Sequence, residues 1–149
     1  MIDFFATTPF RLVRSLAAAG QNTPSVYLLI CEAAAMNAVR ADIAAEIQVQ
    51  LGFDPRSLAA LEAQPERLED AFRHETARPV VLLSLDLWLP KLIDSFDRNV
   101  VLLTEVGTVL LLASPGIAER ILAVAPNLRN RLTDVFSIKP EEALGEGRA

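Results

Sequence analysis

The segment LLICEAAAMNAVRADIAAEI, Leu28 to Ile47, passes from a continuous apolar stretch directly into a helical pattern. Upstream, Ser25 to Cys31 (SVYLLIC) is a short apolar run containing Val, Tyr and Ile, the pattern of a strand buried on both faces in a parallel sheet. Downstream, Met36, Val39, Ile43, Ile47 and Leu51 recur at spacings of three and four, which predicts a helix closed by Gly52. A phosphate-binding loop at such a junction needs glycines to let backbone N–H groups converge, a lysine for the outer phosphates and a Ser or Thr for magnesium. This junction offers Cys31, Glu32, Ala33, Ala34, Ala35, Met36 and Asn37 instead. No glycine falls between Gly20 and Gly52, no lysine precedes Lys91, and Glu32 would repel a phosphate, so nucleotide hydrolysis on such a loop is excluded.

The same patterning extends in both directions. Phe4 to Ala19, with apolar Phe5, Leu12, Val13 and Leu16 and with Pro9 suited to a first turn, predicts an amphipathic helix. Residues 53 to 78 hold one or two short helices around Pro55 and Pro65, with a short strand near Gln48 to Phe53. Val80 to Leu87 predicts a second buried strand, and the spacing of Leu89, Leu92, Phe96, Val100, Leu103 and Val106 a helix reaching Gly107. Thr108 to Ala113 is a third strand. Ser114 and Pro115 form an N-cap and first-turn pair for a helix carrying Ile117, Ile121, Leu122 and Val124, which Pro126 ends or kinks. Asp134 to Ile138 is a last strand, followed by a short helix and a frayed acidic tail. Strands alternating with helices imply parallel pairing through right-handed crossovers.

Composition removes several classes of function. At 149 residues the chain suits one domain with a real core. Its apolar runs fall short of the roughly 18 residues that cross a bilayer, and the N-terminus lacks the layout of a secretory signal. One cysteine precludes a disulfide framework, which points to a cytoplasmic setting. The net charge of −5, with arginines scattered among acids, argues against a nucleic-acid partner. Cys31 reads as a small apolar core residue and the single histidine, His74, as a solvated one; together they cannot make a zinc site without carboxylate ligands.

From Leu89 onward the sequence LPKLIDSFDRNVVLLTEVGTVLLLASPGIAERILAVAPNLRNRLTDVFSI resembles the second half of the degenerate, inactive STAND-type domains of bacterial signalling and conflict proteins. The resemblance rests on the helix with Asp97 to Asn99, the strand TVLLLAS, and APNLRNRLTDVFSI, and it extends over residues 25 to 138. Such domains keep the core of a P-loop ATPase of the AAA+ and STAND superfamily without its phosphate loop, in keeping with the Cys31 to Asn37 junction. The resemblance implies a protein-binding module, not a catalyst. Arg129 and Arg131 fall in a place resembling the arginine-finger region of AAA+ proteins; without nucleotide they are expected to form salt bridges, to contact a neighbouring subunit or to lie solvated.

A second resemblance, to the receiver domains of response regulators, rests on Asp86 after VVLLSL, Ser114 after TVLLLA, and Lys139 before Pro140. It implies Asp86 as phospho-acceptor with Ser114 and Lys139 beside it. Glu32 next to Cys31 stands where a receiver has two adjacent acids for magnesium, and a single carboxylate holds that ion poorly. From the residues alone, Asp86 is expected to cap the helix near Leu89, and Trp88 to be either core or an interaction anchor.

The sequence therefore predicts a single α/β domain over residues 1–149, with residues 1–20 as an N-terminal helix and 141–149 as a flexible tail. Its architecture is a three-layer α/β/α sandwich with a parallel sheet of four or five strands, a degenerate P-loop NTPase-like fold. The expected function is non-catalytic: an adaptor in bacterial signalling or defence that binds protein partners, such as a protease or nuclease effector. It is expected to use no cofactor, nucleic acid or membrane, and to self-associate through the N-terminal segment or the helix from Pro115 to Ala125. A receiver-like regulatory domain is the alternative, and an enzyme of unknown type comes third.

Overall fold

The computed structural model of this chain describes residues 5–20, 24–57, 78–87, 94, 96–101 and 107–140. The apolar runs form one parallel sheet. Its strands are β1 (Phe5–Thr7), β2 (Ser25–Ile30), β3 (Arg56–Ser57), β4 (Val80–Ser84), β5 (Thr108–Ala113) and β6 (Asp134–Ile138), in the order β1-β6-β2-β5-β4-β3. The described helices are α1 (Pro9–Ala19), α2 (Met36–Leu51), α3 (Pro115–Val124) and α4 (Pro126–Arg131).

Side-chain alternation along the central strands builds two cores, one on each face of the sheet. Leu29, Val80, Leu82, Leu110 and Leu112 meet Leu12, Val13 and Leu16 of α1 and Met36, Val39, Ile43 and Ile47 of α2. On the opposite face, Leu28, Val81, Leu83, Val109 and Leu111 meet Phe96, Ala118, Ile121 and Leu128. β4 and β5 are buried along their whole lengths, which is why they read as unbroken apolar runs and not as alternating ones. The three-layer α/β architecture expected from the sequence is present.

The differences lie at the edges. The expected four strands are all found, and two short edge strands widen the sheet to six among the described residues. Phe5–Thr7 is a strand paired with Phe136–Ile138, not the first turn of the N-terminal helix. That helix starts after Thr8, whose extended backbone and hydroxyl, accepting the Arg11 N–H at 3.4 Å, cap it. No strand occurs near Gln48 to Phe53. α2 runs on to Leu51 and is closed by Gly52, whose φ of 84° lets its N–H return to the carbonyls of Ile47 and Gln48. The short strand lies further on, at Arg56–Ser57.

Strand β4 stops at Ser84, before the expected Leu87, because Leu85–Leu87 form a 3-10 turn. Of the helix expected from Leu89 to Val106, Asp94 and Phe96 to Arg98 are helical, and Val100 and Val101 continue as a 3-10 turn. No helix forms around Pro55, which leads directly into β3, whereas the helix expected around Pro65 lies outside the described residues, as do residues 88–93, 95 and 102–106 and the tail at 141–149. Pro126 opens a new helix, α4, directly after α3.

Candidate functional site

Parallel α/β sheets present ligands and partners at the carboxyl ends of their strands, where neighbouring strands send their helices to opposite faces. Here that place lies between β2, which leads into α2 on one face, and β5, which leads into α3 on the other. The pair is in register from Ser25↔Thr108 to Ile30↔Ala113, and the Cys31 N–H donates to the Ala113 carbonyl at 2.9 Å, which extends the ladder past the last paired strand residues. The connection to α2 consists of Cys31, Glu32 and a 3-10 turn of Ala33–Ala35. Among the described residues only Gly20 and Gly52 have positive φ, so this connection contains none of the left-handed backbone from which N–H groups converge into an anion-binding nest. The first residues of α2 have no side-chain cap.

Cys31 plugs the crevice from below. It is 1% exposed, its thiol donates to the Glu32 carbonyl at 3.4 Å, and its pKa is pushed up to about 11 by burial, then by the neighbouring carboxylates of Glu32 and Asp86. A thiol held protonated is a poor nucleophile. Glu32 is exposed and Asp86 half-buried, so the rim of the crevice is acidic.

The residues near Leu89 that Asp86 is expected to cap lie outside the described residues. The 3-10 turn after β4 carries the Asp86 carboxylate to β5, where Oδ1 accepts the Ser114 backbone N–H at 2.7 Å. Ser114 occupies the N-cap position of α3, yet its hydroxyl makes no capping bond. A carboxylate from a neighbouring strand thus sits at the amino end of α3, where the helix dipole favours negative charge.

Of the receiver-like set, Glu32, Asp86, Ser114 and Lys139 all lie at the same carboxyl rim, but on four strands in the order β6, β2, β5, β4. Asp86 and Ser114 meet. Lys139 follows β6, is exposed, and donates its backbone N–H to the Thr7 carbonyl at 3.1 Å. Its strand is three intervals from that of Asp86, roughly 14 Å at the usual strand spacing. Glu32 is two intervals away.

The arginines and Trp88 fare differently. Arg129 is exposed, and its Nη1 donates to the Leu122 carbonyl at 2.9 Å, capping the last turn of α3. Arg131 is exposed. Trp88 and His74 lie outside the described residues. One contact went unread in the sequence: Asp97 Oδ1 accepts the Leu128 N–H at 2.8 Å, and the Asn127 amide donates to the Asp97 carbonyl at 3.4 Å. Asp97 is thus a remote cap for α4, and the segments at residues 97–99 and 125–130 are in contact. The available signal was Pro126 at a helix start with no capping residue of its own before it.

No helix among the described residues is long and apolar enough to cross a membrane, and no group of three or more His, Cys, Asp or Glu residues is placed to hold a metal there. Compared with known protein families, with curated proteins and with solved structures, the chain matches none.

Proposed function

We propose that this chain is a non-catalytic protein-binding adaptor built on a P-loop-ATPase-like scaffold that has lost its phosphate loop, acting in bacterial signalling or defence. The observation that carries this reading is the β2-to-α2 connection. It is a glycine-free 3-10 turn above a buried thiol, flanked by Glu32 and Asp86, where a triphosphate would require converging N–H groups and a cation.

Strand order supports the scaffold. Leaving β1 aside, the first core strand, β2, sits between the fifth, β6, and the fourth, β5, with the third and second, β4 and β3, beyond. P-loop ATPase cores of the resembled superfamily share that arrangement. Receiver domains use the flavodoxin-like order, with the first strand between the second and the third. The three-strand separation of Lys139 from Asp86 also weighs against the receiver-like alternative. Exposed apolar side chains, Phe5 on the edge strand and Val124 on α3, are surfaces suited to protein contact.

The test has two arms. Melting of the full chain is followed with MgATP, MgADP and MgGTP, and no stabilisation is expected; a saturable rise in melting temperature with any of them would overturn the reading. The chain is also co-expressed with the proteins encoded beside it. A stable complex with a protease, nuclease or other effector is expected, and hydrolysis of a substrate by the chain alone would overturn the non-catalytic assignment.

A further inference from the structure

On the α2 side of the sheet, away from the β2–β5 crevice, a cleft of about 390 Å³ opens between α2 and the loop leading into β3. Its volume lies at the lower end of the range of small-ligand sites. Asn37, Arg40, Ala41 and Ala44 line it from α2, Asp54 from the opposite loop, and Leu82 of β4 from beneath. The α2 residues follow the i, i+3, i+4, i+7 pattern, so they form one stripe of the helix, with a guanidinium and an amide at successive turns.

We propose that this cleft binds a small zwitterion, an α-amino acid with an apolar side chain. Arg40 and Asn37 present the donors that recognise a carboxylate. Asp54 supplies an acceptor for an ammonium group and disfavours a simple anion. Leu82, Ala41 and Ala44 provide an apolar bed for the side chain. The proposal is independent of the adaptor reading, since the cleft shares no residue with the β2–β5 crevice.

The test is a titration of the ¹⁵N-labelled full chain with L-leucine and L-methionine, and in parallel with 4-methylpentanoate and isoamylamine, which each carry one half of the zwitterion. The amino acids are expected to shift the amide resonances of Asn37 to Ala44 and Asp54 saturably. Each half-molecule should bind at least about tenfold more weakly. Arg40→Gln and Asp54→Asn, both at accessible side chains, should weaken leucine binding by a similar factor while the remaining spectrum stays dispersed. Absence of saturable shifts with both amino acids up to about 10 mM, equal binding of 4-methylpentanoate, or undiminished binding by Arg40→Gln would each overturn the proposal.

Discussion

The Asp86 carboxylate accepts the backbone N–H of Ser114 at 2.7 Å, tying the turn after β4 to the N-cap residue of α3 across the strand boundary. Because the bond joins a charged acceptor to a helix amino end, its loss removes both a hydrogen bond and a favourable dipole interaction. Asp86→Ala should lower stability by about 1–2 kcal/mol in urea denaturation, with Asp86→Asn losing less because an amide oxygen still accepts. Equal losses for the two variants would argue against a charge-dependent contact.

Asp86 also decides between the adaptor and receiver readings. With its oxygen engaged by Ser114 and Lys139 three strands away, incubation with magnesium and acetyl phosphate should leave the intact mass unchanged. An added phosphate that disappears in Asp86→Asn would reinstate the receiver reading.

Asp97 gives a parallel case on the face of the sheet that α3 and α4 cover. Its carboxylate takes the Leu128 N–H at 2.8 Å and so fixes the elbow between α3 and α4. Asp97→Ala should cost about 1 kcal/mol. Amide exchange should accelerate within α4 more than in the central strands, as expected for a local opening.

The thiol of Cys31 yields a prediction in pH. Its folded pKa of about 11 exceeds the ordinary thiol value of 9.0, so the native state holds the proton more tightly than the unfolded chain. The associated stability is complete below pH 9 and is lost as pH rises from 9 toward 11, by an amount of the order of 2 kcal/mol. Cys31→Ala should flatten this decline relative to the parent chain. Native protein at pH 8 should also resist iodoacetamide, while the unfolded chain alkylates readily.

Phe5 tests self-association. It is 80% exposed on β1, a terminal strand of the sheet whose Phe5–Thr7 segment carries neither charge nor proline to discourage edge pairing. Phe5→Asp should reduce concentration-dependent association in sedimentation velocity and leave the unfolding free energy in urea within about 0.5 kcal/mol of the parent. Unchanged association would direct attention to Val124 on α3.

The fold was legible wherever burial on both faces wrote itself as an unbroken apolar run, as in Val80 to Ser84 and Thr108 to Ala113, or where a single buried stripe repeated along a helix, as from Met36 to Ile47. β1 and β3 were not legible, because three and two residues are too few to establish any period. The candidate site was legible in position: Cys31, Glu32, Asp86 and Ser114 do gather at one end of the sheet. Their connections were not. Asp86 and Ser114 are 28 residues apart in sequence and Asp97 and Leu128 are 31 apart, so each acid acts on a helix remote from it in sequence. Ser114 shows the converse, a residue of the favoured capping type whose backbone, not its hydroxyl, makes the contact.

The pairing of β1 with β6 carries a mechanical consequence. Because the two strands run side by side in the same direction, from Phe5↔Phe136 to Thr7↔Ile138, tension drawn between the entry to β1 and the exit from β6 acts along the strand axes in opposite senses. The bridging bonds are then strained together in shear, whereas a hairpin pulled open from its free ends would rupture rung by rung. A tether spliced into a longer assembly at those two points would load the sheet in its stiffer direction.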